Sequence, residues 1–135
     1  MTDKKIHLKI VTPEKIVFED DVDSISAKGT SGSFGIYPDH IPFMTTLDVD
    51  IAKTVKSGKE YIFSIIGGTF QFKNNEAVIL TEVAENSADI DATRAQLAKE
   101  RAEAQLNTAE TPNDIKIANA ALARAMARLK AASKR

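Results

Sequence analysis

The chain has 135 residues, a hydrophobic content of 43% and a net charge of −1, enough apolar character for the core of one small domain with an appendage. Cysteine is absent, which excludes disulfides and thiolate chemistry and fits a reducing compartment. No apolar run approaches the roughly 20 residues needed to span a bilayer, and Met1-Thr2-Asp3-Lys4-Lys5 has neither an apolar signal region nor Arg-rich transit character.

The charge is unevenly placed. Residues 1–87 carry nine Lys, no Arg and thirteen Asp/Glu, whereas residues 88–135 carry four Lys, five Arg and six Asp/Glu. All six Gly and all eight aromatics lie at or before Phe72, and Ala is concentrated after Glu85. This single change of character divides the chain into a sheet module over residues 1–87 and a helical module over residues 88–135.

In the first module, Ile6, Leu8 and Ile10 alternate with His7 and Lys9, the period of a half-buried strand that leaves His7 facing solvent. Ile16-Val17-Phe18 restarts the pattern, and the acidic run Glu19-Asp20-Asp21 reads as a turn. The next strand puts Ile25 and Ala27 on its core face. Residues 29–42 hold the densest Gly/Pro content, a series of tight turns, but lack the Lys and Ser/Thr spacing of a phosphate-cradling loop. A strand follows around Asp48 to Lys53, then a hairpin-type turn at Lys56-Ser57-Gly58-Lys59. Tyr61 to Ile66, Thr69 to Phe72 and Ala77 to Glu82 supply three more strands, separated by Gly67-Gly68 and Asn74-Asn75. About eight to ten short strands at this spacing predict a β-sandwich or flattened barrel.

In the second module, Asp89 or Asp91 is placed to cap a first helix. Ala95, Ala98, Ala102 and Leu106 give that helix a narrow apolar stripe. Thr111-Pro112 starts a second helix, with Thr as N-cap and Pro at the first helical position. Ile115, Ala118, Leu122, Ala125, Leu129 and Ala132 form a heptad-like seam along it. The short connection predicts an antiparallel pair, so the fold class expected is α+β: a sandwich followed by a two-helix hairpin. Alanine helices are favourable on their own yet bury little area when docked. The hairpin therefore reads either as a mobile switch or as a stably docked appendage.

Arg94 and Arg101 share one face of the first helix, and Arg124 and Arg128 share a face of the second. Spacing alone favours ordinary surface pairs such as Asp91 with Arg94 and Glu100 with Arg101, worth under about 1 kcal/mol. The alternative is that the two pairs converge on an anion, to which guanidinium groups are suited by their bidentate geometry. Asp91 would then accept from an amino or hydroxyl group, or from Arg94, and Glu85 offers a second carboxylate.

Six motifs in order resemble the epsilon subunit of bacterial F-type ATP synthases over essentially the whole chain. They are Ile10-Val11-Thr12-Pro13; Gly32-Ser33-Phe34-Gly35-Ile36-Tyr37-Pro38-Asp39-His40-Ile41-Pro42; Gly67-Gly68-Thr69-Phe70, which has an extra Thr; Val78-Ile79-Leu80 with Ala84-Glu85; Ile90-Asp91-Ala92-Thr93-Arg94-Ala95; and Arg124-Ala125-Met126-Ala127-Arg128-Leu129. The resemblance implies a non-catalytic rotor subunit of a proton-translocating enzyme, whose sandwich rests on the gamma subunit and on the ring of c subunits. Its hairpin is implied to fold against the sandwich or to extend towards the alpha/beta head and restrain ATP hydrolysis. ATP is implied as a regulatory ligand rather than a required cofactor, held at Glu85, Ile90, Asp91, Arg94, Arg101, Arg124 and Arg128. The implied location is peripheral, on the cytoplasmic face of the bacterial plasma membrane, reached only through protein partners.

Two positions depart from the family pattern. Ser33 stands where many relatives carry an acidic residue linked to the ring, and Asp39 replaces a Gly, which suits a turn of positive φ that Asp tolerates. Ser33 and His40 are the subunit-contact candidates in this loop, His40 reading equally as a structural histidine. A free-standing ATP-sensing module is the competing reading of the arginines. Enzymatic chemistry is not expected, since His7 and His40 are the only histidines and no nucleophile–base spacing or metal-ligand cluster appears. Nucleic-acid binding is not expected either, because the basic hairpin has no aromatic to stack on bases.

Overall fold

The computed structural model describes residues 4–134. Among them the order is β1 (Ile6–Val11), β2 (Ile16–Val22), β3 (Ser24–Gly29), β4 (Gly32–Ile36), β5 (Phe43–Lys56), β6 (Lys59–Ile66), β7 (Thr69–Lys73), β8 (Glu76–Leu80), β9 (Ala84–Asn86), a 3-10 turn (Ser87–Asp89), α1 (Ala92–Thr108) and α2 (Pro112–Ser133). One layer runs β2-β1-β8-β7 and ends on Phe43–Thr46 of β5; the other runs β4-β3-β5-β6-β9. β5 belongs to both layers, pairing with β7 through its first residues and with β3 and β6 through the rest. β1 and β8 are parallel, and the other pairings among the described residues are antiparallel.

Ile6, Leu8, Ile10 and Ile25, which the alternation places inward, are enclosed in one core with Ile36, Phe63, Ile65, Phe70, Phe72 and Ile79. Phe34 packs on Phe43 and Phe70 with ring centroids 5.1 and 4.9 Å apart, the offset geometry aromatic pairs prefer. The hairpin turns Ser57–Gly58 and Asn74–Asn75 have positive φ at both central residues, as a two-residue turn matched to strand twist requires. Asp39 has φ 67°, the conformation expected of a residue standing in for glycine; its amide donates to Asn75 Oδ1 at 2.6 Å. Gly68 has φ 107°, and an added Cβ would lie 1.9 Å from the Leu80 carbonyl oxygen, so only glycine fits there.

Three stretches differ from expectation. Residues 29–42 are not turns throughout, because Gly32–Ile36 form β4 and pair with β3. Glu19-Asp20-Asp21 does not turn the chain: it continues β2, which pairs with β1 as far as Val22. A row of acids can occupy this edge strand because bases face it. Lys56 Nζ reaches Asp20 at 2.5 Å, Lys5 pairs with Asp23, and His7 lies between Asp21 and Glu19. β5 begins at Phe43, well before Asp48. Its first part includes Thr45 and Thr46, and β-branched residues suit a strand whether or not they are buried.

His7 donates from Nδ1 to Asp21 Oδ1 at 2.9 Å and from Nε2 to Glu19 Oε2 at 2.8 Å. Ionised carboxylates only accept, so these two contacts favour the doubly protonated, cationic imidazole over the neutral one. The Asp21 bond, then the Glu19 bond, hold its pKa above the ordinary 6.5. A raised folded-state pKa means that the contribution is complete below 6.5 and fades as pH rises through the higher folded value. His7→Gln is therefore expected to flatten the decline in urea midpoint from slightly acid to slightly alkaline pH. The effect is small because the side chain is 42% exposed. Gly68→Ala is expected to lower stability by on the order of 3 kcal/mol in urea unfolding, from backbone strain and collision with Leu80.

Candidate functional site

Alanine lets the two helices approach closely. Ala95 and Ala102 of α1 are buried, as are Ala118 and Ala125 of α2. Ala109, Glu110 and Thr111 connect the helices, and Thr111 Oγ1 accepts from the Asp114 amide at 3.1 Å as the predicted N-cap. Ile115, expected in the seam, is 40% exposed. It lies in the first turn of α2, next to the interhelix connection.

α2 has a second buried stripe, Ala127 and Ala131, one turn apart on the same face. Ala131 is fully enclosed against Ile62 of β6 and Ile90, with Ile51 and Ala132 beside them. This is the seat of the hairpin on the outer face of the sandwich. Two ion pairs flank it. Lys130 Nζ donates to Asp50 Oδ1 at 2.7 Å, and Arg128 Nε donates to Glu85 Oε1 at 2.6 Å. Burial pushes the Asp50 carboxyl up, but hydrogen bonds from Lys130 and the Ile51 amide outweigh it and hold the pKa below 3.8.

The chain enters α1 through two consecutive caps. Asn86 accepts from the Ala88 amide at 2.9 Å, and Asp91 Oδ1 accepts from the Arg94 amide at 3.1 Å. Between them and α2 is a depression of about 500 Å³ lined by Glu85, Asp89, Ile90, Asp91, Arg94, Arg101 and Arg128, with Ala95, Leu97 and Ala98. A neighbouring hollow of about 270 Å³ shares Arg101 and Arg128 and is lined by Arg124. The fold thus gathers six of the seven candidate nucleotide residues around one opening and puts Arg124 at its margin. Among the described residues, Arg94, Arg101 and Arg124 have no ion-pair partner. The surface pairs Asp91–Arg94 and Glu100–Arg101 do not form, and Asp91 is turned to cap the helix. Ile90 is 5% exposed and contributes its side chain to the seat.

The loop candidates stand apart from this cleft. Ser33 is exposed at the start of the edge strand β4. His40 is exposed in the loop that follows, its ring edge-on to Phe43 and Phe72 at 6.2 and 5.9 Å, with Nδ1 donating to the Ile41 carbonyl at 2.7 Å. Asp50, Ile62 and Lys130 carry no local sequence signal and are joined by tertiary packing alone; Asp89, the alternative N-cap, lines the cleft while Asp91 caps the helix.

The family model described as the beta-sandwich domain of the ATP synthase delta/epsilon chain matches residues 5–87, and that of its long alpha-helix domain matches residues 88–133. The chain belongs to the ATP synthase epsilon family. It is 40% identical over 129 residues to the ATP synthase epsilon chain of Desulforamulus reducens, covering 96% of this chain and 98% of that one. It is also 40% identical over 128 residues to the ATP synthase epsilon chain of Nitratidesulfovibrio vulgaris, covering 95% and 96%. A chain in the Euglena gracilis mitochondrial ATP synthase structure, OSCP/F1/c-ring, has the same fold with a TM-score of 0.84 at 21% identity, covering 96% of this chain and 81% of that one. Membership in the epsilon family makes this a non-catalytic subunit of ATP synthase. No helix among the described residues is long and apolar enough to cross a membrane.

Ala131→Glu would force a charge into the seat, where burial without a partner is worth several kcal/mol. It is expected to abolish slow hydrogen exchange in α2 while β1, β7 and β8 remain protected. Lys130→Ala, whose ammonium is 48% exposed, should weaken α2 protection by less than about 1 kcal/mol.

Proposed function

We propose that this epsilon-family subunit belongs to the central stalk of a proton-translocating F-type ATP synthase, with the sandwich docked on gamma and the c-subunit ring. Its hairpin regulates hydrolysis, seated against the sandwich in one state and reaching towards the alpha/beta head in another. ATP acts as a regulatory ligand of the seated state. The complex holds the subunit at the cytoplasmic face of the plasma membrane. The rotor reading is supported by the bacterial relatives named ATP synthase epsilon chain and by the shared fold with a chain of the Tetrahymena thermophila mitochondrial ATP synthase central stalk/c-ring structure, at TM-score 0.66.

The observation that carries the ATP reading is the cleft at the start of α1, where Arg94 and Arg101, without ion-pair partners among the described residues, face Arg128, with Arg124 in the adjoining hollow. Guanidinium forks and free first-turn amides are what phosphate oxygens need. The cleft takes Arg94 and Arg101 from α1, Arg128 from α2 and Glu85 from β9. A ligand touching all three elements is held only while the hairpin is seated. It would stabilise that state by about 2.7 kcal/mol at a hundred times its dissociation constant.

Calorimetric titration with ATP is expected to show saturable binding that Arg94→Ala removes. Asp91→Asn, which keeps the cap while deleting the charge, separates a ligand contact from a folding effect: a contact made through the carboxylate is weakened, one made through the cap is not. Absence of binding in the unmodified chain would remove ATP from this account. Co-expression with gamma is expected to yield a complex that survives purification; its absence would remove the stalk assignment.

A further inference from the structure

Ser64 is fully enclosed, and its Oγ is the one buried side-chain polar atom without a hydrogen-bond partner among the described residues. Other enclosed hydroxyls are satisfied: Thr54 Oγ1 donates to the Ser24 carbonyl at 2.8 Å, and Thr81 Oγ1 to the Ile66 carbonyl at 3.3 Å. The location of Ser64 is specific. On β6, Phe63 and Ile65 point into the sandwich core, so Ile62 and Ser64 share the opposite face. Ile62 touches Ala131 of α2. Cross-strand, Ser64 stands between Ile51 of β5 and Glu85 of β9; Ile51 belongs to the seat and Glu85 holds Arg128. Ser64 is therefore on the face of the sheet that carries the seat, flanked by residues that touch α2.

We infer that Ser64 sets the hairpin's docking equilibrium: seating α2 strips its hydroxyl of water without supplying a partner, and unseating α2 returns the water. The inference rests on the reading that the hairpin leaves its seat. A hydroxyl buried unpaired penalises the state that buries it. A seat built only of Ile51, Ile62, Ile90 and alanine would lack that penalty. The polar atom beside it brings the seated and unseated states closer together, so that weak interactions elsewhere decide between them.

Ser64→Ala deletes the oxygen and leaves the rest of the seat in place. It is expected to slow native-state hydrogen exchange of the α2 amides by on the order of tenfold. It should also raise the seated fraction measured by the distance between fluorophores at Lys73→Cys and Asn113→Cys, a labelling that the cysteine-free sequence permits. Unchanged or faster α2 exchange, with opening still visible, would overturn the role of Ser64 and leave the mobile hairpin standing. Exchange of α2 only at the rate of global unfolding, in both proteins, would overturn both.

Discussion

Ile62, Ile90 and Ala131 form the buried centre of the contact between the helical hairpin and the sheet. The contact is small because alanine has little area to bury, yet the cleft depends on it. Ile90 immediately precedes the cap Asp91, so seating Ile90 fixes where α1 begins and where Arg94 projects. Ala131 is three residues beyond Arg128, so the same contact places that guanidinium against Glu85. On the proposed reading, a ligand spanning α1, α2 and β9 would read the state of the seat, and the seat would in turn set affinity for the ligand. Such reciprocity is thermodynamic and needs no dedicated relay.

Much of this architecture was legible in the sequence because its signals are local. Alternation marked the strands, paired turn residues marked the hairpins, and Asp91 and Thr111-Pro112 marked both helix starts. Acidic residues misled the reading of β2, because a charged strand is tolerable only when bases on other elements face it. Those bases, Lys56 among them, lie far away in sequence. The α2 seam was half visible: Ala118 and Ala125 follow the heptad, but Ala127 and Ala131 could not be distinguished as a second interface in a helix where alanine lies on every side. Arg128 and Glu85 are 43 residues apart, a pairing that spacing within one helix does not contain. The family resemblance supplied that grouping, and the fold supplies the geometry.

The edges of the sandwich are handled differently. β2 carries its acids outward and is laced to β1 and β5 by His7 and Lys56, leaving a charged rim unsuited to pairing with another sheet. β9 is only three residues long and is tied to α2 through Glu85. The second layer is therefore closed on one side by the seated hairpin, which joins the protection of that edge to the seat.

β5 extends over fourteen residues, about 45 Å at the rise of an extended strand, and is a full member of both layers. Two sheets joined only by side-chain packing can slide over one another under load. Here a covalent backbone passes from one to the other, anchored by β7 at one end and by β3 and β6 at the other. A twisting force applied to one layer reaches the second as tension along a peptide chain, with the hydrogen bonds on both flanks loaded together in shear. If the subunit turns inside a rotating machine, as proposed, that would make the sandwich a stiff coupling.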